Sequence, residues 1–512
     1  MAFTSASFIV LTIASVLLYY IVPKKAQWCI LLLASAAFYM AGSVKAFAWV
    51  VLVAGMTWVT GLILGRYNAI KPADKAQKAQ IQHKKKQIAI ICAICCFGLL
   101  YAMKYWNFTL ELLPSALGNH IPRWDFVVPL GLSFFIFQSM SYVIDVYRGK
   151  YAPERNPLRY GLFVSFFPQM VQGPISRFDQ LAPQLTAERK LCWDDLQIGI
   201  QLALWGYFKK MVIADRAAIG LATITSDFSK YTGAYAFLGM LIYAVELYAD
   251  FTGGIDITIG IAELFGIRLP ENFRQPFFSK SLAEYWRRWH ITLCAWFKDY
   301  VFYPISMSKK MNKASKWLKK HVSTGIGQRF PIYTATIVVW FVTGMWHGAS
   351  WNFIVWGLLN GIIMLASQEF EPVYAKVDGK LHLKKHTAYK VFEIIRTTAI
   401  VCVLQMLDYH RNIADAFRQF ISMFTTANYA SVFGSGMFNI GLSLPDYILL
   451  LAGVIIMYIV SFAGREESVR ERLSKKSFAL RFTIFLALFL GIAVFGVYGI
   501  GYESSQFIYN QF

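Results

Sequence analysis

Long apolar runs alternate with short polar or basic segments along most of the chain. The first three runs cover Phe8–Val22, Cys29–Ala41 and Phe47–Leu64, and a strongly basic segment from Arg66 to Lys86 follows them. A helix needs about 20 mainly apolar residues to cross the hydrocarbon core of a membrane. The pattern therefore predicts helices that cross a membrane rather than the half-buried elements of a soluble domain.

The remaining apolar runs differ in length, and two of them are short. The longer runs are Ile88–Met103, Phe126–Val146, Ile198–Ile219, Tyr235–Phe265, Pro331–Met345, Trp351–Leu365, Phe392–Leu407, Tyr447–Phe462 and Phe482–Val497. The short runs Tyr160–Val171 and Ile291–Ile305 have basic residues on both sides, which favours re-entrant or interfacial pieces whose irregular backbone is buried in protein. The sequence predicts an all-α polytopic membrane protein with about twelve crossings.

Lysine and arginine are concentrated in the loops and indicate the orientation of the chain. Basic residues stand at Lys24 and Lys25, in the segment after Leu64, at Lys309–Lys320 and at Lys376–Lys390. Loops rich in Lys and Arg remain on the cytoplasmic side of a membrane. We therefore expect a multi-pass protein of the cell (inner) membrane with both termini extracytoplasmic.

The composition supports a membrane protein and argues against a nucleic-acid-binding one. Hydrophobic residues make up 57% of the chain and charged residues only 15%, whereas a soluble domain is about one quarter charged. The net charge of +21 would suit a nucleic-acid partner, but the basic residues lie in the short loops, where they orient the chain. No nucleic-acid partner is expected.

Two of the eight histidines lie in strongly apolar, aromatic surroundings. They are His290, in YWRRWHI, and His347, in GMWHGAS. An imidazole titrates near neutral pH, so either could accept a proton from a substrate hydroxyl. His347 stands in a break between two apolar runs, next to glycines that permit close approach. The other six are expected to be solvated: His83, His120, His321, His382, His386 and His410.

Three carboxylates occupy one apolar run, where charge is costly. They are Glu246, Asp250 and Asp256. Glu246 and Asp250 are four residues apart and share a helix face. These groups could bind a cation, pair with Arg287 or Arg288, or orient a histidine.

Sequence motifs for other catalytic strategies are absent. The chain has no histidine-rich metal motif, no G-x-S-x-G turn and no phosphate-binding loop. We therefore expect no metal site and no protein nucleophile, and a histidine base that activates a substrate hydroxyl directly.

Seven stretches of the chain resemble the membrane-bound O-acyltransferases, in particular the bacterial branch that includes alginate, peptidoglycan and cellulose acetylation proteins. They are VPLGLSFFIFQSMSYVIDVYRG, FFPQMVQGPISRF, YFKKMVIADR, LYADFTGGIDITIGIAELFGIRLPENF, SLAEYWRRWHITLCAWFKDYVFYPI, TGMWHGASWNFIVWGLLNG and the terminal QFIYNQF. The combination of WRRWHITL with WHGASW is specific. One departure is Gly253-Gly254-Ile255, where that branch often reads Gly-Tyr-Ser.

The resemblance implies one membrane-embedded acyltransferase domain over residues 1–512, with N-terminal helices to 125, a motif-bearing core over 126–370 and C-terminal helices beyond. It implies a ring of helices around re-entrant pieces and a central funnel. His347 would be catalytic and His290 the second important polar residue. Supporting residues of the funnel would be Trp289, Arg287, Arg288, Asp299, Trp346, Asn352, Glu246, Asp250 and Asp256.

The resemblance also implies a reaction and its partners. A cytoplasmic thioester (acetyl-CoA or an acyl carrier) would donate the acyl group as a substrate, with no bound cofactor. The group, expected to be acetyl, would reach an extracytoplasmic polysaccharide with the help of a separate SGNH-type transferase. Three alternatives remain open: D-alanyl transfer to teichoic acid, an ion-coupled transporter that uses the intramembrane carboxylates, and a structural export subunit that only scaffolds an extracytoplasmic enzyme.

Overall fold

The structure is a computed structural model that describes residues 2–114, 120–124, 126, 128–410, 412–465 and 467–498. The terminal QFIYNQF stretch, both chain ends and the segment after Tyr498 lie outside the described residues. The described chain is helical and contains no strand. This agrees with the all-α polytopic architecture expected from the sequence.

The chain divides into two compact units. The first comprises residues up to Gly206 together with Gly254–Pro270, and the second comprises Tyr207–Gly253 and the described chain from Glu271 onward. One boundary falls inside the long helix Ala234–Leu264. The division into three consecutive parts expected from the sequence remains a prediction.

The helices of the first unit are Ala6–Ile21, Gln27–Gly42, Val44–Ala69, Lys75–Lys104, Trp106–Glu111, Leu132–Arg148, Pro157–Ser165, Phe178–Thr186 and Trp193–Tyr207. The basic segment expected as a loop after Leu64 is largely helical. The Asp74 side chain caps the helix that begins at Lys75 by accepting a hydrogen bond from the Gln77 amide at 2.6 Å. The Lys, Gln and Ala residues that follow are strong helix formers.

The helices of the second unit are Asp215–Ser226, Ala234–Leu264 in its first part, Leu282–Arg288, Ile291–Phe297, Tyr303–Ser306, Lys309–His321, Thr324–His347, Trp351–Glu369, Glu371–Leu381, Thr387–Tyr409, Ile413–Thr425, Tyr429–Gly434, Leu444–Ala463, Val469–Ser474 and Phe478–Phe495. π-Helical turns occupy Phe208–Ala214 and Lys298–Phe302. Such turns interrupt helices most often at functional sites.

Six of the described helices are long and apolar enough to cross a membrane: Val44–Ala69, Lys75–Lys104, Ala234–Leu264, Trp351–Glu369, Leu444–Ala463 and Phe478–Phe495. The last of these buries none of its residues inside the protein, although it is strongly apolar. A surface of that kind suits lipid rather than water. The protein is a multi-pass membrane protein, and the figure of about twelve crossings remains a prediction.

The first short apolar run, in the first unit, is irregular and buried. It forms the nine-residue helix Pro157–Ser165 and then irregular chain, where Phe166, Phe167 and Met170 are at most 3% exposed. The Gln138 amide donates to the Phe163 carbonyl at 2.7 Å and satisfies part of this backbone. The expectation that protein would bury the irregular backbone of this run is confirmed.

Candidate active site

His290 occupies the junction of two short helices. The helix Leu282–Arg288 ends just before it, and it is the N-cap of Ile291–Phe297. Its backbone is left-handed, with φ 48° and ψ 49°, and its side chain is 1% exposed. Residues other than glycine rarely adopt this conformation, and it is common at functional sites. The second short run thus bends sharply at the histidine.

The side chain of Asn272 contacts the bend at His290. Its Oδ1 accepts hydrogen bonds from the Thr292 amide at 3.0 Å and the Thr292 hydroxyl at 2.8 Å, and it lies 3.3 Å from the His290 Nδ1. The Asn272 carbonyl also accepts from the Ile291 amide at 3.0 Å. Because the Thr292 amide can only donate, the facing atom is the oxygen, and the His290 Nδ1 must donate to it.

Asn272 was not among the residues singled out from the sequence. It lies in the LPENF part of a stretch that resembles the acyltransferase family, and this was the available signal. Asn272 contacts His290 only because the fold brings together two residues that are 18 positions apart. The spacing of residues in the sequence does not reveal such a contact.

His347 lies at the end of a long helix. It is the last residue of Thr324–His347, and the next helix begins at Trp351. The break expected between two apolar runs is therefore confirmed. The ring is half-buried and lies against Trp356 at 4.6 Å and Phe353 at 6.0 Å between ring centroids.

Two glycines allow the helices that flank this break to approach closely. A Cβ added at Gly344 would lie 2.3 Å from the Phe353 carbonyl oxygen, and one added at Gly357 would lie 2.3 Å from the Trp340 carbonyl oxygen. No side chain larger than hydrogen fits at either position. The close approach brings Phe353 and Trp356 against the His347 ring.

Trp346 contacts both histidines. Its ring centroid lies 5.7 Å from that of His290 and 4.9 Å from that of His347. Phe251 also packs edge-on against His290, at 4.9 Å between ring centroids. Trp289 is 3% exposed and is stacked with Tyr285 at 5.5 Å. The fold thus gathers the two histidines and both predicted tryptophans into one aromatic cluster.

The remaining supporting residues are placed differently. Arg288 pairs with Glu284 at 2.6 Å, one turn earlier on the same helix, and Arg287 is exposed. Asn352 is buried and donates to the His410 carbonyl at 2.6 Å. Asp299 is half-buried on a π-helical turn. None of these described contacts joins an arginine to the carboxylates of the long helix.

Asp250 pairs with Lys210, not with Arg287 or Arg288. The Lys210 ammonium lies 2.5 Å from Asp250 and 2.8 Å from Asp215, and all three side chains are at most 5% exposed. The neighbouring Lys209 donates to the Thr252 hydroxyl at 2.7 Å. Breaking a buried pair of this kind is strongly destabilising, which gives Asp250 a structural role. Lys210 and Asp215 were missed, although both lie in the quoted YFKKMVIADR stretch.

The three carboxylates singled out from the sequence belong to different units. Glu246 and Asp250 belong to the second unit, whereas Asp256 lies beyond Gly253 and belongs to the first. Glu246 is 7% exposed, and its Oε2 has no hydrogen-bond partner among the described residues. Within the described chain, no group of three or more His, Cys, Asp or Glu side chains is arranged to hold a metal ion.

The expectation that six histidines are solvated is wrong for one of them. His83, His120, His321, His382 and His386 are exposed, but His410 is only 4% exposed. Polar neighbours in the sequence suggested solvent around it. The fold instead encloses its ring between Phe228 and Tyr409, at 4.4 Å and 4.5 Å between centroids.

Comparison with known proteins identifies the family. Residues 154–407 match the profile of MBOAT, the membrane-bound O-acyltransferase family. The chain is 33% identical over 367 residues to "Probable alginate O-acetylase AlgI" of Azotobacter vinelandii. The aligned residues cover 70% of this chain and 67% of the relative.

Two further relatives have other printed activities. The "Peptidoglycan O-acetyltransferase" of Helicobacter pylori is 31% identical over 340 residues, or 60% of each chain. The "Teichoic acid D-alanyltransferase" of Bacillus subtilis is 29% identical over 282 residues, which cover 53% of this chain and 66% of the relative. Both are acyl-group transferases. This chain is an acyltransferase that belongs to the membrane-bound O-acyltransferase family.

Proposed function

We propose that this acyltransferase moves an acetyl group from a cytoplasmic thioester to an acceptor hydroxyl, for O-acetylation of an extracytoplasmic polysaccharide. The observation that carries the proposal is the pair of histidines that both contact Trp346. Relatives whose names specify alginate and peptidoglycan O-acetylation support the acetyl group and the polysaccharide.

His347 acts as the general base in this proposal. Its half-buried ring is accessible to a substrate, and a neutral imidazole takes the proton from the acceptor hydroxyl while the oxygen attacks the thioester carbonyl carbon. The carbon–sulfur bond then breaks, and the thiolate recovers the proton from His347. The products are an oxygen ester and a free thiol, without an acyl-enzyme intermediate.

His290 positions a substrate beside this base. Because its Nδ1 donates to Asn272, the lone pair of the neutral ring is on Nε2. That atom would accept a hydrogen bond from a hydroxyl. A ring fixed in this way supplies orientation, which contributes strongly to transfer between two bound substrates.

The cellular arrangement is part of the same proposal. The chain lies in the inner membrane with both termini extracytoplasmic, and the transfer takes place within a central funnel. The donor is acetyl-CoA or an acyl carrier, which binds as a substrate, and no cofactor is retained. An SGNH-type extracytoplasmic transferase completes delivery to the polysaccharide.

D-alanyl transfer to teichoic acid is the second candidate, and the similarity to a teichoic acid D-alanyltransferase favours it. It uses the same histidine chemistry with a different thioester. The ion-coupled transporter receives less support, because Asp250 is already paired with Lys210.

The test is acyl transfer by the purified protein in liposomes. Labelled acetyl-thioester is supplied on the cytoplasmic side, and alginate and peptidoglycan oligosaccharides on the other, with and without the SGNH-type partner. We expect label on oligosaccharide hydroxyls for the wild type but not for His347→Ala. Transfer from a D-alanyl thioester alone would favour the second candidate. Ion flux with no thioester consumption would contradict both.

A further inference from the structure

His410 is buried, as His290 is, and neither His347 nor His290 requires it for the chemistry described above. It follows the helix Thr387–Tyr409, whose Met406 belongs to an apolar core that also includes Met423. Phe228 is stacked on the ring at 4.4 Å with an interplanar angle of 22°. An imidazole enclosed to this extent needs hydrogen-bond partners for both nitrogens.

Only one of its nitrogens has such a partner in the described chain. Nδ1 lies 2.6 Å from the Met406 carbonyl oxygen, which can only accept, so Nδ1 carries the proton. The lone pair of the neutral ring is therefore on Nε2. Nε2 is buried and has no hydrogen-bond partner among the described residues. It is a fixed acceptor that requires a donor.

His410 is linked to the surroundings of His347 through two consecutive residues. The Asn352 side chain donates to the His410 carbonyl at 2.6 Å. Phe353, the next residue, is stacked on the His347 ring with an interplanar angle of 19°. Both residues lie in the first turn of the helix Trp351–Glu369. The helix that borders the His347 ring therefore also contacts the backbone of His410.

We propose that His410 binds the acceptor alcohol, with its Nε2 accepting a hydrogen bond from an acceptor hydroxyl other than the one that is acylated. This inference rests on the proposed function. A polyhydroxylated acceptor supplies the donor that Nε2 requires, and the thioester carbonyl cannot, because it only accepts. His410 thereby selects acceptors with several hydroxyls and orients them beside His347.

Two matched pairs of variants test this role. His410→Asn retains a donor that can reach the Met406 carbonyl but lacks an atom at the Nε2 position, whereas His410→Gln places its amide near that position. We expect His410→Asn to raise the KM for the oligosaccharide about tenfold or more, with little change in kcat or in the KM for acetyl-thioester. His410→Gln should recover most of the acceptor affinity.

The second pair of variants distinguishes a loss of acceptor binding from a loss of folding. His410→Gln and His410→Leu have similar sizes and both lose the imidazole, but only glutamine offers an acceptor. At equal melting temperatures, lower acceptor affinity in the leucine variant supports the proposal, and equal affinity overturns it. An unchanged acceptor KM in His410→Asn also overturns it. Absence of transfer by the wild type would overturn the proposed function, and this inference with it.

Discussion

The two central histidines are held in contrasting ways. His290 is almost fully buried, adopts a left-handed backbone and is fixed by polar contacts from Asn272. His347 is half-buried, ends a regular helix and lies against aromatic rings. In the proposed function, the rigid residue orients a substrate and the accessible residue exchanges protons.

The physical reason for the contrast lies in the local backbone. A non-glycine residue in the left-handed region costs about 1–3 kcal/mol, and the hydrogen bonds of Asn272 offset that cost at His290. His347 has no such strain to offset, and glycines on the paired helices set its position. The position of His290 therefore depends on hydrogen bonds, and that of His347 on close packing.

Removal of His347 should have the largest effect. We expect His347→Ala to lower the rate of acyl transfer by about 10²–10⁴-fold, the usual contribution of a general base, with normal insertion and folding. The measurement is transfer of labelled acetyl to oligosaccharide. His321→Ala, which removes an exposed histidine, is the control and should transfer normally. A rate within threefold of the wild type would remove His347 from the chemistry.

Removal of Asn272, whose side chain fixes His290, should have the next largest effect. We expect Asn272→Ala to approach the defect of His290→Ala, about 10–100-fold in transfer, because a small misplacement of a positioning group is costly. Thr292→Val, which removes one hydroxyl bond but retains the contact between Asn272 and His290, should lose less. Equal losses in the Asn272 and Thr292 variants would argue that Asn272 supports the fold alone.

Substitutions at the buried ion pairs of Lys210 test whether Asp250 stabilises the fold or takes part in the reaction. Lys210→Met removes the buried ammonium that pairs with Asp250 and Asp215, and we expect it to destabilise the protein by about 3–5 kcal/mol. Asp250→Asn retains the bond to Asp215 and should cost less, with normal transfer per folded molecule. Thermal unfolding in detergent measures both. An inactive Asp250→Asn variant with unchanged stability would instead assign the carboxylate to the reaction.

Packing at the helix break should give the smallest effects. Gly344→Ala meets the Phe353 carbonyl, and we expect it to destabilise the protein by about 1–3 kcal/mol and to slow transfer through His347. Gly379→Ala is the matched control, since nothing lies within 4 Å of the added Cβ. It should stabilise its helix by about 0.5–1 kcal/mol. Comparable melting temperatures for the two variants would contradict the packing argument.

Apolar run length and basic loops were sufficient to predict an all-helical membrane protein, because the membrane imposes those constraints on every crossing segment. The same reasoning located the two short runs, the break at His347 and the two histidines. It failed at the segment Arg66–Lys86, where helix propensity and the Asp74 cap extend a helix through residues expected to form a loop.

Contacts between distant parts of the chain were decided by the tertiary structure. Three contacts join segments that are distant in the sequence. They are the hydrogen bond between Asn272 and His290, the pairing of Asp250 with Lys210 across 40 residues, and the stacking of Phe228 on His410. Hydrophobic patterns report which residues are apolar along one helix, but they do not report which segments meet. The residues that could react were therefore apparent from the sequence, and the side chains that orient them only from the fold.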